Sequence, residues 1–294
     1  MFNIFGSSAS SSSTAAATFT SASGQTSASS SNLTTGPTEP QSKIRYYRDR
    51  GFYRRQNILD VVRESPLCHV AFQHGDTLMN IPLIVAVRPP TEDEEQADEV
   101  EMKEVVYLHM NYKSSLVEAV QAGTLQVLTA SCTIVDGIVF SPFPHDHSYD
   151  YRSATLHLHR PSLVTDPAEK VKALAIVVNQ STGYDRSAAV GLSDPNGTNA
   201  RGTAVIRCEV KAMSGKQRTG GFKSGESAEE DRAEADEGQA MQGAVPCWVQ
   251  YGEPVGAGRD VARVREVYEE KSESNRQRAE GIVLADARYK LAGK

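Results

Sequence analysis

The chain has 294 residues, 39% of them hydrophobic and 23% charged, with a formal net charge of −6 at pH 7. That length holds one large domain or two small ones, and the acidity argues against a nucleic-acid binder, which would show a basic face. No run of eighteen apolar residues occurs, so no helix is expected to cross a membrane.

Residues 1–42 are dominated by Ser, Thr and Ala, with no Lys or Arg before Lys43. Such a segment buries too little apolar surface to offset its ordering entropy, and it is read as a disordered head. A mitochondrial presequence needs arginines, and a secretory signal needs a basic start and a longer apolar run than "MFNIF"; a cytoplasmic protein is expected.

"RRQNILDVVRES" places Ile58, Leu59, Val61 and Val62 on one side of a short helix, ended by Pro66. "LCHVAF" (67–72) reads as a strand, followed by a turn at His74-Gly75-Asp76 and a second strand, "LMNIPLIVAV" (78–87). The acidic stretch at about 91–104 is a solvated insertion before the strand "EVVYLHM" (104–110), which makes it an overgrown hairpin loop in an antiparallel meander. "SSLVEAVQAG" (114–123) is a short helix capped by Ser114 and ended by Gly123. "TLQVLTASCTIVDGIVF" (124–140) is β-rich with a turn near Asp136-Gly137, and "SATLHLHRPSLV" (153–164) alternates as a strand. Asp166 as N-cap, Pro167 at the first helical position and Glu169 at the third open a helix over 166–180. "TAVIRCEVKAM" (203–213) is a late strand, residues 222–243 are a second acidic insertion, and "AVPCWVQYGEPV" (244–255) ends the core. Residues 256–294 are a polar, helical tail with weak core signal. Without βαβ alternation, the expectation is a mainly β fold, a small antiparallel barrel with covering helices over residues 43–255.

Cys68, Cys132, Cys208 and Cys247 form no CxxC pair and read as reduced, buried thiols. The densest cluster of polar chemistry is "PHDHSYDYRS" (144–153). His145 and His147 could chelate zinc from one face of an extended segment, but no third ligand is in view, and no metal site is expected. Parity says more. His145, His147, Tyr149, Tyr151, Ser153, Thr155, His157 and His159 would line one side of a strand, with Ala154, Leu156 and Leu158 on the other. That side is either a solvated face or the wall of a pocket. Arg152 suits a phosphate or carboxylate, or a surface ion pair. "NYKSS" (111–115) stands where a strand enters a helix, and Lys113, Ser114 and Ser115 could meet an anion there, or Ser114 could be an ordinary cap. "SGKQRTGG" (214–221) is a phosphate-binding loop or a flexible turn; it lacks the Walker spacing.

Taken together, "LCHVAF", "NIPL", "YLHMNYKSSL", "VDGIVF…HDHSYDYRSATLH", "KAMSGKQRTGG" and "VPCWVQYGEPV" resemble the flavin-nucleotide-binding proteins of the pyridoxamine 5′-phosphate oxidase-like superfamily, in the branch with the nitroimidazole-resistance proteins. The resemblance covers residues 45–255. It implies a split β-barrel, a homodimer, and FMN in a groove between subunits. It places Asn80, Ile81 and Pro82 along the flavin ring, Lys113, Ser114 and Ser115 on the phosphate turn, and His147, Tyr151, Arg152 and Ser153 on the signature strand. Lys216, Arg218 and Thr219 fall on a loop after the late strand. Family members carry Arg or Lys directly after the serine of the phosphate turn, where this chain has Ser115. The implied chemistry is hydride or electron transfer between flavin and a small molecule, with reduced nicotinamide as a partner and His147 as a candidate proton donor. The alternative is a non-enzymatic module that holds flavin or haem.

Overall fold

The computed structural model describes residues 37, 39–89, 104–143, 146–187, 189–192, 202–220 and 241–285. The head expected to be disordered, most of both acidic insertions, His145 and the end of the tail lie outside the described residues. Residues 40–42, placed in that head, form one 3-10 turn with Ser42 buried.

Three long strands carry the architecture: β6 (Val127–Phe140), β7 (Ser148–Leu163) and β8 (Ala204–Arg218). Six shorter strands join their edges: β1 (Gly51–Phe52), β2 (Cys68–His74), β3 (Thr77–Leu83), β4 (Val85–Val87), β5 (Val105–Met110) and β9 (Gly243–Pro246). Among the described residues neighbouring strands pair antiparallel, in the order β3-β2-β6-β7-β8-β5-β4. β2 and β9 share the free edge of β6, and β5 and β1 share that of β8. The two end strands, β3 and β4, are separated in sequence by Ile84 alone. The sheet therefore curls back on itself and stays open along one seam, as a split barrel expected from the resemblance does.

The inside is filled by alternating side chains: Val70 and Phe72, Val106 and Leu108, Leu128 and Ala130, Leu156 and Leu158, Ile206 and Cys208. Helix α1 (Arg55–Glu64) contributes Ile58, Leu59, Val61 and Val62 to this core, as its periodicity predicts. Helix α2 (Ser115–Gln121) contributes Leu116, Val117 and Ala119. Outside the barrel, helix α3 (Pro167–Thr182) packs Ala173, Leu174 and Val177 on Ala86, Val105, Tyr107 and Val205. It covers only β4, β5 and the first part of β8. Helix α4 (Val261–Val283) runs from the C-cap of α3, where Lys271 and Val267 meet Gly183, to β6, where Val283 meets Gly137.

Five readings of the sequence change. Residues 78–87 are two strands, because β3 pairs with β2 and β4 with β5. The meander breaks as well, since β5 pairs with β8 while β2 pairs with β6. Asp136-Gly137 is a bulge inside a continuous β6, not a turn; Val283 presses on Gly137, where a Cβ would lie 2.8 Å from its Cγ2. "SGKQR" continues β8 rather than leaving it as a loop, because β1 and β7 pair with it on both sides. The final strand is only Gly243–Pro246.

Candidate functional site

The outer surface of β3, β2, β6, β7 and the later half of β8 is the part that α3 leaves uncovered. Residues directly opposite in antiparallel strands project to the same face, so register alone builds it. Pro82, His69, Ser131, Thr155 and Ser214 are successive partners across five strands. Asn80, Ala71, Thr129, His157 and Ala212 form the next row. Thr133, Ser153 and Lys216 form a third. Small side chains, hydroxyls, Asn80, two histidines and Lys216 thus make a platform with hydrogen-bonding groups at its surface. Ser153 Oγ donates to the Lys216 carbonyl at 3.1 Å, which fixes the third row.

The odd-parity side of β7 is this platform, as the alternation predicts: Tyr151 to His159 are half-buried while Ala154, Leu156 and Leu158 are buried. His157 hydrogen-bonds the backbone of Gln41, and burial holds its imidazole below the usual range despite that bond. A segment ahead of β1 therefore crosses the edge of the platform.

The expected site residues separate. Asn80, Pro82, Ser153 and Lys216 reach the platform, with Tyr151 and Arg218 opposite each other at its end. Ile81 packs against the core instead. Arg152 has the other parity. Its Nε and Nη2 donate to the two oxygens of Asp136, each at 2.9 Å, and its Nη1 donates to Glu64 at 2.5 Å. Burial works against its charge, but Asp136 and Glu64 outweigh it and raise its pKa. Arg278 of α4 pairs with the same Glu64. Arg218 donates to Asp150, which is fully buried, at 2.7 Å. Thr219 follows β8 and is exposed.

Lys113, Ser114 and Ser115 stand at the start of α2, where Ser114 accepts a hydrogen bond from Leu116 N–H at 3.3 Å, as an ordinary cap. Glu118 of this helix pairs with His74 at 3.5 Å, so α2 lies at the far end of β2. Continuing the registers, that end lies level with Arg160 on β7, eight residues or roughly 26 Å along the strand from Arg152. His147 precedes β7, exposed, with Nδ1 3.2 Å from the Phe143 carbonyl and its ring edge-on to Phe140 at 6.2 Å.

Sequence reading missed the β6 contribution, Thr129, Ser131 and Thr133. Their period-two spacing in "TASCT" carried the signal. Asp136 and Glu64 as partners of Arg152 had none, because both depend on contacts across elements. Among the described residues no three of His, Cys, Asp and Glu cluster as metal ligands.

An open antiparallel barrel with one uncovered polar face is the fold of the flavin-binding split barrels. The family model described as pyridoxamine 5′-phosphate oxidase matches residues 54–217, and the chain belongs to that family. Comparison with curated proteins gives no match. Among solved structures, the chain is similar to the flavocytochrome Anf3 from Azotobacter vinelandii, with a TM-score of 0.57 and 19% identity, over 76% of this chain and 96% of that one. It is also similar to the FAD and heme binding protein from Mycobacterium smegmatis, with a TM-score of 0.52 and 20% identity, over 71% and 90%. Both likenesses show the fold.

Proposed function

We propose that the chain binds a flavin nucleotide on the platform and uses it as an oxidoreductase, moving a hydride or electrons to a small-molecule substrate. The observation that carries this reading is the polar outer face of β3, β2, β6 and β7 that no α-helix covers, bordered on β8 by the segment ahead of β1, in a chain of this family. Its donor set fits a flavin: Asn80, Ser131, Thr155 and Ser153 offer hydrogen bonds to a planar heterocycle, and Lys216 offers one positive charge beside them. FMN is the smallest such ligand. A bound flavin supplies the redox chemistry, while the protein orients it and excludes water. His157, whose pKa burial lowers, is the imidazole that β7 places on the platform. Exposed Leu78 and Val127, 76% and 63% accessible, edge the same face and support a homodimer that closes over it.

The visible spectrum of the purified protein tests this. Flavin absorption is expected; a colourless protein that takes up neither added FMN nor FAD overturns the reading. Anaerobic mixing with reduced nicotinamide should bleach the flavin, and failure to bleach leaves a carrier rather than a reductase using that donor.

A second reading is a haem-containing module, alone or with flavin. It is favoured by the two structural relatives, a flavocytochrome and an FAD and heme binding protein. His69 and His157, in adjacent rows of the platform, offer imidazoles to an iron. A Soret band would support it.

A further inference from the structure

We infer that Cys68 and Cys132 form an oxidisable dithiol, a modification site at which a hydroperoxide closes a reversible disulfide between β2 and β6. The inference does not depend on what the platform holds.

Register brings the two thiols together. His69, Val70 and Ala71 pair with Ser131, Ala130 and Thr129, so one step further along the same ladder Cys68 stands opposite Cys132. Residues directly opposite project to the same face. Their Cα atoms lie about 4.5–5.5 Å apart, inside the range of about 4.4–6.8 Å that a disulfide spans. Both side chains point into the barrel, 2% and 4% exposed, and the two thiols hydrogen-bond each other. Cys208, the third buried cysteine, stands on β8 opposite Val106 instead of a thiol.

The surroundings divide the roles. The bond from Cys68 lowers the Cys132 pKa against the effect of burial, and the Ser65 hydroxyl, the Ala154 backbone and the Arg152 charge lower it further. The same bond, with burial, raises Cys68. Cys132 is therefore the thiol that ionises and attacks, and Cys68 keeps its proton until the second step. Position supplies access. Cys68 opens β2 directly after half-buried Ser65 and exposed Pro66 and Leu67, so the pair lies just beneath the surface. Hydrogen peroxide is little larger than water and enters where a bulky thiol reagent does not.

The chemistry balances in two steps. The Cys132 thiolate attacks one peroxide oxygen and the O–O bond breaks; Cys132 becomes a sulfenic acid, and the departing oxygen takes up the thiol proton as water. The Cys68 sulfur then displaces the hydroxyl, the S–S bond forms, and a second water leaves with the Cys68 proton. The two sulfurs lose two electrons and the peroxide gains them. The bridge staples β2 to β6 directly behind His69 and Ser131 of the platform.

The test uses the full chain carrying Cys247→Ser, reduced with dithiothreitol, desalted, treated with hydrogen peroxide, and then unfolded in an alkylating reagent. Of its three remaining cysteines, only Cys208 should still be alkylated. Mass spectrometry of the digest should find the Cys68 peptide joined to the Cys132 peptide, and dithiothreitol should restore all three thiols. The bridged chain should unfold at a higher urea concentration than the reduced one, because the bridge constrains the unfolded state. With dimedone present throughout, the trapped sulfenic acid should be on Cys132; a Cys68→Ser variant should accumulate it, and the unsubstituted pair reads the same label if that variant does not fold. Cys68 and Cys132 left alkylatable in excess peroxide, Cys208 oxidised as fast as they are, or a bridge that forms only in the unfolded chain overturns the inference. Dimedone on Cys68 instead of Cys132 overturns the division of roles.

Discussion

Arg152 shows how an inconspicuous side chain can tie two strands to a helix. Its guanidinium is 14% exposed and joins a carboxylate that is 3% exposed, Asp136 at the β6 bulge. Arg152→Ala leaves that carboxylate buried without a counter-charge and should destabilise the fold by about 3–5 kcal/mol, measured by urea unfolding. Arg152→Lys should recover little, because an ammonium cannot bond both oxygens at once. The thiols give a second test. Cys68 and Cys132 hydrogen-bond each other, and that bond, with burial, holds the Cys68 thiol above its ordinary range. Burial pushes Cys208 up to about 12. Cys247 is the one cysteine that is not buried. A thiol reagent should therefore modify one cysteine per native chain and four in denaturant. The sequence reading had all four thiols buried, which holds for Cys68, Cys132 and Cys208 and not for Cys247. It did not reveal the Cys68–Cys132 contact, or that Arg152 is spent on structure, since each depends on which strand lies beside which.

At the scale of elements, local signals carried far. The Asp166 cap of α3 accepts from Glu169 N–H at 2.8 Å, and Gly123, at φ +68, follows α2 where a left-handed residue is needed. What failed was the end of β8. Ser, Gly and Lys in "SGKQR" resemble a loop by composition, yet Gly215 is there for a neighbour: a Cβ would lie 2.1 Å from the Phe52 ring. Gly215→Ala should force Phe52 from its place and cost about 1–3 kcal/mol, with the loss read as a lower Tm. Phe52→Ala should make the same glycine change nearly neutral, a coupling that double-mutant melting resolves. The platform was half legible for a related reason. Alternation in β7 defined one side of one strand, whereas the five-strand surface needed the registers of its neighbours.

For the whole molecule, two half-buried histidines set the acid limb of stability. Burial alone lowers the pKa of His109 from 6.5, and its Nδ1 is buried with no hydrogen-bond partner; His157 is lowered too, by burial first. The unfolded chain binds protons more readily than the folded one in this window. Stability is thus full above about 6.5 and falls as the pH drops from there through the lower folded values. Tm measured across this range should decline on acidification, and His109→Phe should flatten part of the slope. The topology adds a kinetic consequence. Gly51 pairs with Lys216, so the first strand finds its partner only after more than half the chain has followed it. Contacts of such long range slow folding. During synthesis β1 must wait until β8 has left the ribosome; a chain stalled before β8 holds the segment ahead of β1 only by the bond of Gln41 to His157 and of Ile44 N–H to the Tyr53 hydroxyl.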